Sequence, residues 1–392
     1  MLHARKMKEN IYWIGAIDWD RRLFDSLIPL PDGTSYNAYL IQGSEKTVLV
    51  DTVDPTLEHV LMENLKSVPN VDFVVAHHAE QDHSGTLPKV LEKYPRAKAI
   101  ASAKCKGMLV DHLCIPGDRC KAVEDGETVS LGDKTLKFIY TPWVHWPETM
   151  VTWLEQDRIL FTCDFFGSHL ATSDLYAVDE ARVYEAAKRY YSEIMMPFRT
   201  MIQKNMDKLR DLKIETIAPS HGPMYSHPKF ILDAYREWIS DTPKNEVVIP
   251  YVSMHGSTRK MVEYLVDALV AKGVTVKQFD LAATDIGKLA ISLVDAATIV
   301  IGTPTVHLGP HPLVVYAAHL ANALRPKLKF ASIIGSYGWA SEAVERIAGL
   351  IPNLKVEIVP PVICKGYPRE SDFKALDALA TTIAEKHMAM KL

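Results

Sequence analysis

The sequence predicts a two-domain α/β protein, in which a layered α/β sandwich precedes a doubly wound parallel sheet. Two observations lead to this fold class: short strands come before helices in the first half, and strands alternate with helices in the second. At 392 residues the chain is too long for one ordinary domain. The composition turns polar over Ser240–Asn245, and a new apolar run starts at Val247. We therefore predict domains at residues 1–243 and 246–392.

Apolar segments bounded by Gly, Pro and Asp turns dominate the first half and are typical of strands. The predicted strands are Ile11–Ile17, Tyr36–Gln42, Lys46–Val50, Val71–Ala76, Leu136–Tyr140, Met150–Leu154 and Ile159–Cys163. Helical periodicity covers Leu57–Leu65, Ala181–Met195 and Lys204–Leu212, and another helix is predicted to begin near Thr86. Strands followed by helices on the outer faces favour a sandwich over a parallel barrel.

Strand and helix alternate regularly in the second half. The predicted strands are Glu246–Val252, Thr275–Leu281, Thr298–Gly302, Phe330–Ile334 and Lys355–Val359. The predicted helices are Arg259–Lys272, Ile286–Val294, Leu313–Leu324, Ser341–Leu350 and Asp372–Met388. Five strands with intervening helices indicate a doubly wound parallel sheet of the flavodoxin type. Pro250 interrupts the first of these strands, and its missing N–H favours a local bulge.

The amino-acid composition excludes some classes of binding partner. A hydrophobic fraction of 48% and a charged fraction of 23% are typical of a soluble globular protein. The net charge of −4 gives no basic surface for nucleic acid or an anionic membrane. The segment Met1–Lys8 is basic, but no apolar segment follows it, so we expect no signal peptide and a cytoplasmic location. No apolar run approaches the roughly 20 residues of a membrane-spanning helix.

The cysteines indicate reduced structural thiols rather than a redox module. There are five, an odd number, with no C-x-x-C pair: Cys105, Cys114, Cys120, Cys163 and Cys364. The absence of C-x-x-C excludes a fused rubredoxin or zinc ribbon on this chain. Any electrons that the protein needs must come from another molecule.

Metal-capable side chains concentrate in one stretch, His77–Gly85, directly after the apolar run Val71–Ala76. An ordinary polar loop would more often use Asn, Ser, Gly and Lys, whereas this one carries His78, Glu80, Asp82 and His83. Three further candidates stand at predicted strand ends or loop starts: His145, Asp164 and His221. Each of these three, taken alone, fits a hydrogen-bonded histidine or a helix-capping aspartate. Together with the first stretch they form a candidate binuclear metal site.

The pattern H-x-E-x-D-H, followed by His145, Asp164 and His221, resembles that of flavodiiron proteins, and the resemblance covers the whole chain. Hydrolases of the metallo-β-lactamase fold are similar but have a second His where Glu80 stands here. The resemblance implies a metallo-β-lactamase-like αββα sandwich followed by a flavodoxin-like domain. Four imidazoles and three carboxylates also suit a pair of redox-active irons better than zinc.

The resemblance implies a role for each ligand position. His78, Glu80 and His145 would bind one iron; Asp82, His83 and His221 would bind the other, and Asp164 would bridge them. Asp51 is expected to orient the ligands from behind or to fix their loop, rather than to bind metal. Family members place a His or Tyr near the open face of the pair. Here the early position reads Asp25, beside Phe24, and Tyr191 is the candidate tyrosine.

Three loops are predicted to leave the flavin-binding edge of the second domain, where such sheets bind their ligands. The candidate FMN contacts are Ser253, Met254, His255, Gly256, Ser257, Thr258, Pro304, Thr305, Val306, His307, Ser336, Tyr337, Gly338 and Trp339. Hydroxyls and N–H groups at a helix start can hold a phosphate, although plain N-capping by Ser257 or Thr258 fits the first loop equally. Tyr337 or Trp339 could stack on the flavin or pack at its rim. Relatives often have Asn residues where this chain has Val306–Leu308 and glycines where it has Ala340–Glu342.

By this resemblance, electrons from rubredoxin or a reduced deazaflavin pass through FMN to the diiron site, where dioxygen becomes water or nitric oxide becomes nitrous oxide. The assembly implied is a head-to-tail homodimer or a dimer of dimers. The string Met254–Lys260 is similar to that of methanogen enzymes that oxidise reduced deazaflavin. Alternatives are a zinc hydrolase of the metallo-β-lactamase superfamily with a flavodoxin tail, and an electron-transfer flavoprotein with a vestigial metal site. The choice between dioxygen and nitric oxide stays open.

Overall fold

A computed structural model describes residues 4–392, so the first three residues of the basic segment Met1–Lys8 lie outside the described part. The chain divides into two compact units. The first comprises residues up to Tyr191 and Phe198–Ile239, and the second comprises Ser192–Pro197 and Ser240–Leu392. The division after Ile239 falls a few residues before the predicted boundary.

The first unit is built on two facing sheets. The larger sheet has the spatial order β1 (Arg5–Lys8), β2 (Ile11–Trp13), β7 (Tyr39–Gln42), β8 (Thr47–Val50), β9 (Phe73–Val75), β10 (Lys98–Ser102) and β11 (Cys120–Val123). The smaller sheet has the order β12 (Thr128–Ser130), β13 (Thr135–Tyr140), β14 (Met150–Leu154), β15 (Ile159–Cys163) and β16 (Thr216–Pro219). Two short ribbons pair β3 (Ala16–Asp18) with β6 (Thr34–Tyr36) and β4 (Leu23–Phe24) with β5 (Ile28–Pro29).

Alternation along the strands gives this unit its layers. In β7, Leu40 belongs to a core with the helices, whereas Tyr39 and Ile41 belong to the core shared with strands of the smaller sheet, such as Phe138 and Phe161. The helices are α1 (Glu58–Asn64), α2 (Gln81–Ser84), α3 (Leu87–Lys93), α4 (Ala103–Leu113), α5 (Glu180–Tyr190), α6 (Arg199–Leu209) and α7 (Pro228–Ile239). This arrangement confirms the predicted α/β sandwich.

The predicted strand Ile11–Ile17 is in fact two strands in different sheets. At Gly15 a Cβ atom would lie 2.3 Å from the carbonyl oxygen of Tyr36, so the backbone passes too close to its neighbour for any side chain. The chain bends there, and β2 ends before it while β3 begins after it. The predicted helix Ala181–Met195 also differs, because α5 gives way to a π-helical turn at Tyr191–Met195.

The second unit is a doubly wound parallel sheet, as predicted. Its strands are β17 (Lys244–Tyr251), β18 (Thr275–Asp280), β19 (Ala296–Val306), β20 (Gly309–Pro310), β21 (Phe330–Tyr337), β22 (Glu357–Ile358) and β23 (Val362–Lys365). Its helices are α8 (Ser257–Val270), α9 (Ile286–Leu293), α10 (Pro312–Leu324), α11 (Ala343–Leu350) and α12 (Glu370–Ala389). The order β18-β17-β19-β21, with β22 and β23 both on β21, is that of flavodoxin-like sheets.

Pro250 leaves its strand unbroken, whereas Pro360 and Pro361 separate two strands of this sheet. The bulge predicted at Pro250 is wrong: Pro250 stays in register with Phe279 of β18, and the irregularity of β17 lies between Lys244 and Val247. The predicted strand Lys355–Val359 is shorter than expected, and β23 follows it along the same neighbour. Pro360 and Pro361 separate the two, since neither has an N–H for the ladder.

Two expectations from composition can be compared with the described residues. Within residues 4–392, none of the helices combines the length and apolar character needed to cross a membrane. None of the five cysteines forms a disulfide, in agreement with the prediction of free thiols.

Candidate metal centre and phosphate-binding loop

The seven predicted ligands come from segments that end at one edge of the sandwich. The chain leaves β9 at Val75, presents His78 and Glu80, and then forms the single turn α2 that carries Asp82 and His83. His145 lies in the loop between β13 and β14. The remaining two, Asp164 and His221, follow β15 and β16, which are parallel neighbours. Parallel strands end on the same side of a sheet, so distant sequence segments meet here.

One set of side chains, hereafter the first set, consists of His78, Glu80 and His145. Their donor atoms, together with one from Asp164, all lie within 4.8 Å of one another. The Oε2 atom of Glu80 is 2.9 Å from His78 Nε2 and 3.1 Å from His145 Nε2. The structure therefore brings together the three residues predicted to share one metal.

The second set consists of Asp82, His83 and His221, and it is similarly compact. The Oδ2 atom of Asp82 lies 3.3 Å from His83 Nε2 and 3.1 Å from His221 Nε2. All three side chains are buried.

Asp164 stands between the two sets, with one oxygen turned to each. Its Oδ2 lies 3.4 Å from His145 Nε2 and 3.5 Å from His78 Nε2. Its Oδ1 lies 2.8 Å from His83 Nε2 and 3.5 Å from His221 Nε2. A carboxylate placed in this way can bridge two metal ions.

The buried donor atoms fit metal ligation better than internal hydrogen bonding. Both carboxylate oxygens of Asp82 and Asp164 and both ring nitrogens of His83 are buried, yet none has a hydrogen-bond partner among the described residues. His83 Nε2 and Asp164 Oδ1 lie close as opposite charges, but the orientation of the imidazole ring relative to the carboxylate does not suit a hydrogen bond. Buried polar atoms without partners are costly, and donors that converge on a common point are satisfied by cations. The mixed oxygen and nitrogen set suits iron.

The charges of the site are strongly coupled. Burial alone would lower the pKa of His83, but Asp82 and Asp164 outweigh it and raise this pKa to about 10. Burial likewise opposes the effect of Asp164 and Glu80 on His145, whose pKa rises to about 9. Burial would raise the pKa of Glu80, but the two imidazoles of the first set hold it well below its usual range. Without metal, the site is therefore a cluster of ion pairs.

We expect the stability of the metal-free protein to fall as pH rises from about 6.5 to about 10. The pKa values of about 10 for His83 and about 9 for His145 exceed the roughly 6.5 of an unfolded histidine. The folded chain thus binds more protons than the unfolded chain in this window. The stabilisation that results is present in full below the window and is lost above it. Imidazoles that bind metal are neutral, so the metal-loaded protein should lack this dependence.

Urea unfolding of chelated and metal-loaded protein across this pH range measures the difference. A metal-free protein whose free energy of unfolding stays level or rises with pH would contradict the expectation.

Hydrogen bonds behind the ligands orient their rings. His78 Nδ1 lies 2.9 Å from Glu148 Oε1, and His221 Nδ1 lies 2.7 Å from the carbonyl oxygen of Ser35. Asp51 bonds His77 rather than a ligand, with Oδ2 at 2.7 Å from His77 Nδ1 and Oδ1 accepting from its backbone N–H. These contacts hold the start of the segment that carries His78 and Glu80, in line with the loop-fixing alternative for Asp51.

The tyrosine at the site is Tyr190 and not the predicted Tyr191. The Tyr190 ring lies 4.8 Å from the ring of His169 and 5.7 Å from that of His221. Burial and the charges of Asp164 and Asp82 raise the pKa of Tyr190 well above its usual value. The Tyr191 ring instead contacts Tyr235 and Trp238, and its hydroxyl is 3.4 Å from the Trp238 carbonyl oxygen. Consecutive helical residues point about 100° apart, so only one of the pair can face the site.

His169 is a neighbour of the site that sequence reasoning missed. Its ring lies 4.8 Å from that of His221, and its Nδ1 is 2.9 Å from Thr34 Oγ1. Burial and the nearby His221 hold the pKa of His169 well below its usual value, so it is neutral. No motif marks it, because Gly167-Ser168-His169 reads as an ordinary loop.

A cavity of about 350 Å³ opens beside the two sets and reaches one carboxylate of each, Glu80 and Asp82. Its other walls include Arg21, Asp25 and Trp146. The position of Asp25 agrees with its expected place near the open face. Burial and the charges of Glu80 and Asp82 raise the pKa of Asp25 above its usual value. The cavity gives a small molecule access to both halves of the site.

The candidate phosphate loop of the second unit, Ser253–Thr258, is held in shape by hydrogen bonds to its own serine. Ser253 Oγ accepts hydrogen bonds from the backbone N–H of Gly256 at 3.2 Å and of Arg259 at 3.1 Å. Gly256 has φ +91° and caps α8, a conformation that other residues adopt with strain. Ser257 and Thr258 are therefore the first residues of the helix rather than its cap.

A cavity of about 180 Å³ lies at the carboxyl ends of β17, β19 and β21, as predicted for a flavin site. Its lining includes most of the predicted contacts: Ser253, Met254, His255, Ser257, Thr258, Pro304, Thr305, Ser336, Tyr337 and Gly338. It also includes Gly366, which sequence reasoning missed. Abundant hydroxyls suit a phosphate and a polar ring edge.

Four predicted contacts are not part of this lining: Gly256, Val306, His307 and Trp339. His307 and Leu308 form the tip of the β19–β20 hairpin, both with positive φ. Trp339 is 79% exposed at the rim. The departures from the family pattern at residues 306–308 and 340–342 thus fall on residues that do not line the cavity.

Fold and site together define a two-domain protein with two adjoining sets of metal-capable side chains on a metallo-β-lactamase-like sandwich and a flavodoxin-like second domain. A family model described as "ODP family beta lactamase" matches residues 34–222. A nitric oxide reductase of Moorella thermoacetica is 35% identical over 96% of this chain and 97% of its own length. A coenzyme F420H2 oxidase of Methanothermobacter marburgensis is 31% identical over 88% and 90%.

The comparison with solved structures indicates the same family as these relatives. The rubredoxin oxygen:oxidoreductase of Desulfovibrio gigas superimposes with a TM-score of 0.95, at 31% identity over 99% of both chains. The chain belongs to the flavodiiron family. This membership confirms the resemblance drawn from the ligand pattern and favours it over the zinc-hydrolase alternative.

Proposed function

We propose that the protein is a flavodiiron reductase, which passes electrons from an external donor through FMN to two irons that reduce dioxygen to water or nitric oxide to nitrous oxide. The observation that carries this proposal is Asp164, with one oxygen turned to each ligand set. The relatives named for nitric oxide reduction and F420H2 oxidation support it.

Each of the two ligand sets would hold one of the two irons. The first set and Asp164 Oδ2 would hold one iron, and the second set and Asp164 Oδ1 would hold the other. When bound, the pair of irons supplies the electrons and the open positions that these gases need. Reduction of dioxygen takes up four electrons and four protons to give two waters. Reduction of two nitric oxides takes up two electrons and two protons to give nitrous oxide and water.

Neighbouring rings fix the ligand geometry. The Trp146 ring stands edge-on to His78, with centroids 4.8 Å apart, and Phe24 lies 6.4 Å from His221. Asp25 lines the same cavity outside the ligand set, so protons passed on by its carboxyl would arrive from the same side as a small apolar gas.

FMN would occupy the cavity of the second unit, with its phosphate at the loop Ser253–Thr258. The donor would be rubredoxin or a reduced deazaflavin, since residues 1–392 contain no C-x-x-C motif for an internal one. In a head-to-tail homodimer, or a dimer of such dimers, the flavin of one subunit would serve the irons of the other. We place the protein in the cytoplasm, where reduced donors are available.

Metal and flavin analysis with gas consumption assays tests the proposal. We expect two irons and one FMN per chain, and consumption of dioxygen or nitric oxide when a reduced donor is supplied. Stoichiometric zinc without gas consumption would overturn it. Anaerobic stopped-flow mixing with each donor, followed by flavin bleaching, identifies the donor.

Substitution Ser253→Ala should weaken FMN binding by roughly 30-fold. The alanine removes the acceptor for the N–H groups of Gly256 and Arg259, at about 1 kcal/mol for each lost hydrogen bond. Fluorescence titration of flavin-free protein with FMN measures the change. Ser292→Ala is the matched control, because that hydroxyl bonds only the Lys288 carbonyl within α9. Equal affinities for S253A and S292A would refute the role given to Ser253.

A further inference from the structure

A buried carboxylate stands directly behind one of the ligands. Glu148 is 3% exposed, and its Oε1 lies 2.9 Å from His78 Nδ1 and 3.1 Å from the backbone nitrogen of Ala79. The other ring nitrogen of His78, Nε2, faces Glu80 and Asp164. With Nε2 turned to the metal position, Nδ1 carries the proton that His78 donates to Glu148. The contact therefore fixes both the tautomer and the orientation of the ring.

Glu148 is itself held from behind. The hydroxyl of Ser102, at the end of β10, donates to the main-chain oxygen of Glu148 at 2.8 Å. The same hydroxyl accepts from the backbone N–H of Cys105 and so caps α4. The main chain of Glu148 is thus held by a residue at the junction of β10 and α4.

The second set has no equivalent. His221 Nδ1 donates to the carbonyl oxygen of Ser35, which carries no net charge. His83 Nδ1 is buried and has no hydrogen-bond partner among residues 4–392. The rings next to His221 are those of Tyr190 and the neutral His169. A negative charge behind an imidazole is therefore found on the side of the first set, at His78.

We propose that Glu148 is a positioning residue that makes the two metal positions inequivalent, so that the first set binds its iron more tightly and at a lower reduction potential than the second. A carboxylate that accepts the Nδ1 proton increases the electron donation of the imidazole to its metal. Added negative charge in a buried site also favours the more highly charged ferric ion. If the reduced pair lost one electron to an added oxidant, that electron would come from the iron held by the first set.

This inference rests on the proposed diiron function, and its test separates the two. Glu148→Gln retains the size of the side chain and an oxygen acceptor but removes the charge. We expect the affinity for ferrous iron at one of the two positions to fall by about 10–100-fold. In a redox titration followed by electron paramagnetic resonance, the lower of the two iron midpoint potentials should rise, while the higher one stays near its wild-type value.

Ser102→Ala is the matched control, because it removes the bond to the main chain of Glu148 and leaves the carboxylate. Because the carboxylate keeps its charge in S102A, we expect the potentials to shift less than in E148Q, and equal shifts in the two variants would overturn the role of the charge. Should E148Q not fold, Glu148→Asp retains the charge but withdraws it from Nδ1, and we expect a smaller shift in the same direction. Unchanged affinities and potentials in a variant that holds two irons overturn the inference alone. A wild-type protein that holds no pair of irons overturns the proposed function, and the inference with it.

Discussion

Replacing Asp164 with asparagine should eliminate binding of the metal pair. Asp164 is the one side chain whose two oxygens face different ligand sets, and an asparagine offers one oxygen and an NH₂ group that repels a cation. The four histidines of the two sets would also lose the charge that draws them together. We expect one metal or none per chain, and at least about 100-fold slower gas consumption, since loss of groups that merely support a ligand already costs 10–100-fold.

Elemental analysis and an oxygen or nitric oxide electrode measure both effects. The matched control is Asp72→Asn, at the opposite end of β9, where the carboxylate accepts from the Thr47 N–H and the Asn70 amide. That variant should retain two metals. An Asp164→Asn protein that still binds two irons would show that the carboxylate does not bridge.

Replacing Glu80 with histidine should convert the metal preference from iron to zinc and end gas reduction. The substitution changes four imidazoles and three carboxylates into five and two, and it creates the H-x-H-x-D-H pattern of zinc hydrolases. Glu80 Oε2 lies within 3.1 Å of both imidazole nitrogens of the first set, so the change falls inside the ligand cluster. Neutral nitrogen donors favour zinc, and loss of one negative charge weakens the hold on ferric iron.

Competition between ferrous iron and zinc for metal-free protein measures the preference. Gln81→His is the control, because it adds an imidazole at the neighbouring position on the cavity wall without changing the donor set. It should prefer the same metal as the wild type. If E80H still selected iron and consumed gas at the wild-type rate, Glu80 would not determine the metal.

The ligand set could be predicted because it depends on local sequence and on one general property of sheets. His78, Glu80, Asp82 and His83 are fixed within a few residues of β9, so their proximity needs no knowledge of the rest of the fold. Asp164 and His221 follow strands that proved to be parallel neighbours, and parallel strands end at one edge. The phosphate loop was predictable on the same basis, because it follows the first strand of an alternating β/α pattern.

The sequence by itself thus determined the fold class, the candidate ligands and the candidate phosphate loop, all of which depend on periodicity and on the ends of strands. The tertiary structure decided which side chains stand behind the ligands. Tyr190 rather than Tyr191 faces the site, because helix rotation and a π-helical turn set the direction of each ring. Glu148 and His169 approach their partners from loops whose residues carry no periodic signal. Contacts between segments about 70 or 50 residues apart are set by packing. No local sequence pattern could therefore predict that, among the candidate ligands in residues 4–392, His78 is the histidine with a carboxylate behind its ring.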